Sequence, residues 1–189
     1  VPTALPTPVA KKTQTITAKS IKKSYGAKAF SIAAKTDGNG KLTYSSENKN
    51  VATVSASGKV TIKGCGETTI TIKVAETADY KSAEKKITLT VVPKKQKVSY
   101  AKSTKAKTIT VKWTKDSKAT GYILQYSTDK KFKKNVKSIT ISKNKTTSKK
   151  ITKLTAGKKY YVRVCSYKKV SKNKLKGSYS AAKTVNVKK

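Results

Sequence analysis

The chain has 189 residues, enough for two domains that each bury a core. Hydrophobic residues make up only 35%, yet they fall in alternating runs that a disordered chain would not need, and no stretch nears the roughly 18 apolar residues of a membrane span. Lysine and arginine total 45 against 8 acidic residues, for a net charge of +37 with no histidine, which removes the commonest general base and points to anionic partners.

The opening "VPTALPTPV" carries three prolines in nine residues and predicts a stiff, proline-rich linker over 1–10 rather than the start of a domain. The chain is expected to be a piece of a longer protein, with any export signal upstream. Strand patterns then recur every 8 to 12 residues with turn signals between them, the rhythm of a β-sandwich and not of alternating βα units. In the first half they are "QTIT" (14–17), "AFSIA" (29–33), "LTYSS" (42–46), "VATVS" (51–55), "KVTIK" (59–63), "TTITIKV" (68–74) and "KKITLTVV" (85–92). Glycines in "DGNG" (37–40), "SASG" (55–58) and "GCG" (64–66) supply the turns. "DGNGK" begins like a calcium loop, but Lys41 stands where a third oxygen ligand belongs, so a hairpin turn is expected there.

Pro93 and the "KKQK" behind it mark a boundary, dividing the chain into domains at 11–93 and 94–189. Seven further strands follow: "KVSYA" (97–101), "KTITVKW" (107–113), "GYILQYS" (121–127), "VKSITI" (136–141), "SKKIT" (148–152), "KYYVRVCSY" (159–167) and "SAAKTVNV" (180–187). The predicted fold class is therefore all-β, two consecutive seven-stranded Greek-key β-sandwiches. Period-2 alternation places Ile109, Val111 and Trp113 inside, opposite Tyr122, Leu124 and Tyr126. In "LTAGKKYYVRV" (154–164), Leu154 precedes Tyr160 by six residues across a small turn. That is the spacing of a tyrosine corner, in which the phenol bonds back to upstream backbone and the leucine packs beneath it. The alternation after Tyr160 points Val162 and Val164 inward and Tyr161, Arg163, Cys165 and Tyr167 outward.

With "ITVKW", "GYILQYS" and "LTAGKKYYVRV" in this order, residues 96–189 resemble a fibronectin type III domain. The loop "KKVSKNKLKG" contains no Arg-Gly-Asp, so integrin binding by that route is not implied. Residues 42–72, "LTYSSENKNVATVSASGKVTIKGCGETTITI", make the first half similar to a bacterial Ig-like domain of group 2, with Val51, Val54, Val60 and Ile62 filling one face. In that family an alanine is usual between the two glycines, and Cys65 takes its place. The resemblance implies a buried, inert thiol there, whereas Cys165, outward by alternation, is the one placed to react or dimerise. Two cysteines one hundred positions apart do not suggest a disulfide framework. Such lysine-heavy tandems are similar to the carboxyl-terminal modules of secreted or surface proteins of Gram-positive gut Clostridia. The resemblance therefore implies an extracellular or cell-surface location.

The charge is unevenly spread. Residues 1–93 hold 15 lysines and 6 acids, whereas residues 94–189 hold 29 lysines, Arg163 and 2 acids, net charges of +9 and +28. Base-edge recognition favours the arginine fork, so 44 lysines to one arginine argue against sequence-specific nucleic acid. Anionic polysaccharide or teichoic acid is the expected partner, held without sequence specificity. Codon bias and protection of strand edges from aggregation would also account for the lysines. A host protein such as an immunoglobulin is a second class of partner. A carbohydrate platform of Tyr161, Arg163, Tyr167, Lys168 and Lys169 is a third. The chain is expected to be a monomer. No G-x-S-x-G elbow, phosphate loop or facing pair of carboxylates occurs, so no enzyme activity, cofactor or metal site is expected. Trp113, Leu154 and Tyr160 are assigned structural roles.

Overall fold

The computed structural model describes residues 9–189, so all but the last two residues of the linker predicted over 1–10 lie outside the described residues. No helix occurs among the described residues, and the chain resolves into two compact units. One comprises residues up to Ile21, Lys28–Lys63 and Glu67–Thr90; the other comprises Lys22–Ala27, Gly64–Gly66 and Val91–Lys189.

The first nine strands are β1 (Ile16–Thr17), β2 (Ile21–Ser24), β3 (Phe30–Ser31), β4 (Lys35–Thr36), β5 (Leu42–Ser46), β6 (Ala52–Val54), β7 (Lys59–Ile62), β8 (Gly66–Val74) and β9 (Ala83–Val92). They form a four-stranded sheet ordered β2-β9-β8-β5, a three-stranded sheet β3-β7-β6 and the short pair β1-β4. Strict alternation in β8 buries Thr68, Ile70, Ile72 and Val74, and Ile87, Leu89 and Val91 do the same from β9. From the other side come Val60 and Ala52, both fully buried, and Val51; Val54 and Ile62 are half-buried. Gly58 has φ +81°, and a Cβ there would meet the Tyr44 ring at 2.9 Å, so glycine answers both the turn and the close approach. Asp37, the first residue of the calcium-like stretch, accepts bonds from Thr15 N–H (2.6 Å) and Thr15 Oγ1–H (2.7 Å). Its carboxylate thus fastens the β1-β4 pair.

Eight strands follow: β10 (Val98–Lys102), β11 (Ile109–Trp113), β12 (Gly121–Ser127), β13 (Lys137–Ile141), β14 (Ser148–Ile151), β15 (Lys159–Val170), β16 (Asn173–Lys176) and β17 (Lys183–Asn186). One sheet is β10-β11-β14; the other is β13-β12-β15-β16, with β17 also pairing β15. Neighbouring strands in both sheets run antiparallel. Ile109, Val111, Trp113, Tyr122, Leu124, Ile151, Leu154, Val162, Val164 and Val185 form one core cluster between the sheets. Tyr126 and Tyr160 pack at its margin. Trp113 meets Tyr122 edge-to-face at 5.4 Å between ring centroids, a favoured aromatic geometry.

The architecture is the predicted pair of β-sandwiches, with short ladders beyond the seven strands foreseen for each. Three of these strands, β2, β4 and β16, have no counterpart in the pattern. β2, "IKKS", lacks alternation. β16 arises because β15 runs on to Val170 and turns back, so "KKVSKNKLKG", expected as a loop, is largely a paired hairpin.

Candidate functional site

The predicted platform lies on β15, with Lys168 on the core side of the strand and Tyr161, Arg163, Tyr167 and Lys169 on the face away from the main core. There the simple alternation fails. Cys165 is fully buried and Tyr167 only 3% exposed, where both were expected to face solvent. The reason is a second, smaller cluster on that face, in which Ile123, Cys165 and Tyr167 are covered by Tyr179 from the segment between β16 and β17. That segment is held to β15 by Gly177 N–H to Ser166 O (2.9 Å) and Ser180 N–H to Val164 O (2.8 Å). The Tyr179 hydroxyl is hydrogen-bonded to the Cys165 sulfur, and burial pushes the tyrosine up to about 12. Burial also raises the Cys165 thiol and takes that of Cys65 from 9.0 to about 11. Both cysteines are free and both are buried. The expectation that Cys165 is the reactive one is thus corrected; neither thiol is poised as a nucleophile.

Arg163 is similarly occupied. Its guanidinium lies between the rings of Phe132 (4.0 Å to the centroid) and Tyr179 (4.2 Å). Its Nε and Nη2 both donate to Gln125 Oε1, at 2.9 and 2.8 Å. The only arginine therefore clamps the loop after β12 against the sheet. Of the remaining platform residues, Tyr161 is half-buried opposite Ser127 and Thr184, Lys168 is half-buried and Lys169 exposed. Lys174 sits 5.2 Å from the Tyr167 ring centroid. The five residues thus share a strand but form no open aromatic platform.

At the other end of β15, the Tyr160 hydroxyl accepts a bond from Thr155 N–H at 3.4 Å, and Leu154 is buried beneath. The buried two-bond phenol is Tyr122. Its oxygen accepts from Asp116 N–H (2.8 Å), and its proton goes to Asn144 O (2.9 Å). Beside Tyr160 opens a cleft of about 530 Å³ lined by Tyr126, Asn135, Lys137, Thr152 and Lys153 among others. The sequence did not single out this cleft, because its walls come from separate loops that no periodicity connects. The signal available was residue type alone.

The electrostatics distinguish the two halves of the sequence. Three ion pairs occur among the described residues, Lys11–Glu76, Lys73–Glu84 and Lys86–Glu84, all within 1–93. Both acids of 94–189 are held by backbone instead. Asp116 is buried and accepts from Lys118 N–H (3.0 Å). Asp129 accepts from the N–H groups of Lys131 (2.9 Å), Lys133 (2.7 Å) and Lys134 (3.1 Å). These backbone bonds hold its carboxyl below the usual carboxylate range. Among the described residues, no group of three or more Cys, Asp or Glu comes together as a metal cage, and no helix is long and apolar enough to cross a membrane.

Such a tandem of sandwiches defines a class of modular β-protein, and sequence comparison narrows it. Residues 32–76 match the model of the intimin immunoglobulin-like domain, and residues 93–180 match that of the fibronectin type III domain. The two sandwiches are thus similar to an Ig-like domain followed by a fibronectin type III domain, domain types typical of extracellular and adhesion proteins and typically non-catalytic. For the first domain the matching family is thus the intimin type, where the motifs had suggested bacterial group 2. Among solved structures, the FN5 domain of Drosophila Lar is 23% identical, covering 52% of this chain and 99% of that one, with a TM-score of 0.41. The chicken CNTN1 FN1–FN3 domains are 14% identical, with a TM-score of 0.45. That likeness covers 92% of this chain, which spans 64% of the chicken fragment. No curated protein matches the chain.

Proposed function

We infer that this chain is a non-catalytic module of a secreted or surface-attached bacterial protein, a spacer and adhesion unit whose second sandwich holds anionic cell-wall or mucus polymers. The setting is that of carboxyl-terminal modules on Gram-positive surface proteins, with domain boundaries at 11–93 and 94–189. One observation carries the reading: residues 94–189 hold a net +28, and among the described residues none of their lysines forms an ion pair. An uncompensated lysine surface attracts polyanions and releases their counterions without reading sequence. Expected ligands are acidic polysaccharide and teichoic acid, bound by a monomer.

The test uses the whole chain. Its affinity for teichoic acid and heparin should fall by orders of magnitude between about 50 and 200 mM salt if six or more anionic groups are engaged. Four Lys→Gln changes within 94–189 should weaken binding far more than four within 1–93. Equal losses, or salt-insensitive binding, would defeat the proposal in favour of a dedicated protein partner such as an immunoglobulin.

A further inference from the structure

We propose that the cleft beside Tyr160 is a binding site for one or two sugar units of an acidic polysaccharide, with the sugar ring against Tyr126 and Tyr160 and its carboxylate or sulfate held by Lys137 and Lys153. The inference deepens the polyanion reading above and rests on it. Tyr126 and Tyr160 lie 6.4 Å apart at 49° over the edge of the core. A half-buried pair of phenol rings presents apolar surface with polar rims, which suits the C–H face and hydroxyls of a pyranose. The Tyr160 oxygen already accepts the Thr155 N–H, so its own proton remains to be donated. Thr152 and Asn135 add a hydroxyl and an amide to the wall.

A second lobe of about 600 Å³ is lined by the same Lys153, Leu154 and Thr155 and reaches Lys107. Three of the five non-glycine residues with positive φ line these two lobes: Lys107 (53°), Asn135 (54°) and Lys153 (59°). Lysine in this conformation is uncommon, and such strain gathers at binding sites. The loops 103–108, 128–136 and 152–158 with the last two residues carry ten lysines and one acid. That acid is Asp129, whose carboxylate is turned to its own loop by three backbone N–H groups. An entering anion therefore meets ten lysines against a single carboxylate that is bound by its own loop.

A glycan fits better than a nucleic acid. The rings are half-buried and tilted to each other, not a flat stack open to bases, and the only arginine is locked between Phe132 and Tyr179.

The test titrates the full chain by NMR and calorimetry with hyaluronan and heparin hexasaccharides, with cellohexaose and a six-nucleotide dT strand as comparisons. Hyaluronan or heparin should shift the Tyr126 and Tyr160 ring signals, and cellohexaose should bind far more weakly. The double variant Lys137→Gln, Lys153→Asn should lose about tenfold or more in affinity, the scale of one charge-assisted hydrogen bond. Asparagine tolerates the left-handed backbone at 153, so the melting temperature should hold. The control Lys115→Gln, Lys145→Gln removes the same charge elsewhere and should lose roughly twofold, as expected for a screened field. Equal losses in both pairs would overturn the cleft while leaving diffuse polyanion binding intact. If the unaltered chain binds no polyanion, the functional reading falls as well. If the dT strand shows the same dependence on Lys137 and Lys153, the assignment to acidic sugars fails.

Discussion

Replacing Tyr122 by phenylalanine removes one oxygen and leaves the ring, its contact with Trp113 and the core volume in place. The oxygen joins the loop before β12 to the loop after β13, accepting from Asp116 N–H at 2.8 Å and donating to Asn144 O at 2.9 Å. The side chain is fully buried, so water cannot readily replace either partner. Two net hydrogen bonds of about 1 kcal/mol each, plus the desolvation of two orphaned groups, give a loss of about 2–3 kcal/mol. For a domain of this size, 2 kcal/mol corresponds to a fall of roughly 8–16 °C in Tm. Tyr160→Phe removes a single long bond, 3.4 Å, whose donor Thr155 is exposed. Water can take up that N–H, and the expected loss is below about 0.5 kcal/mol. Urea unfolding followed by Trp113 fluorescence reads both variants, since that tryptophan is the only one in the chain and is buried. Equal losses, or a larger loss for Tyr160→Phe, would refute the assignment of the main phenol anchor to Tyr122.

Gly121→Ala should destabilise by about 1–3 kcal/mol or more in the same assay, because a Cβ there would lie 2.0 Å from Ile141 O, a backbone atom that can move only by displacing β13 from β12; an unchanged midpoint would show that this edge is slack. Neither cysteine should react with a thiol reagent at pH 8 before unfolding, and both should react after it. Because the folded Cys65 thiol keeps its proton to about pH 11 while the unfolded one ionises near 9.0, stability should fall as pH rises through that window; reaction at the native baseline would contradict the burial. Asp129, whose folded value lies below 3.8, stabilises its loop above that pH and ceases to do so as the pH falls through the folded value. The Lys131, Lys133 and Lys134 amides should therefore lose hydrogen-exchange protection in acid, relative to their intrinsic rates; constant protection from about pH 5 to 2 would count against the three backbone bonds.

Strand alternation is a local property of a pleated backbone, and so the all-β class, the two sandwiches and the inward sets Ile109–Val111–Trp113 and Val162–Val164 could be read from sequence. The charge asymmetry is likewise a sum over residues and needs no coordinates. What alternation cannot tell is whether an outward face stays outward. Tyr179 lies twelve residues beyond Tyr167, and only the return of its segment onto β15 buries Cys165 and Tyr167. Arg163 reads as a surface cation until Phe132 and Tyr179 close on it from either side. Tyr122 and Tyr160 look alike in a strand pattern, but Asp116 and Asn144 reach the first from the loops before β12 and after β13. The cleft beside Tyr160 is likewise assembled from loops distant in sequence, and its lysines acquire a common focus only when the sandwich closes. Periodicity specifies the faces of a sheet; which loops and side chains come to cover those faces depends on contacts between segments far apart in the chain, and those only the tertiary structure decides.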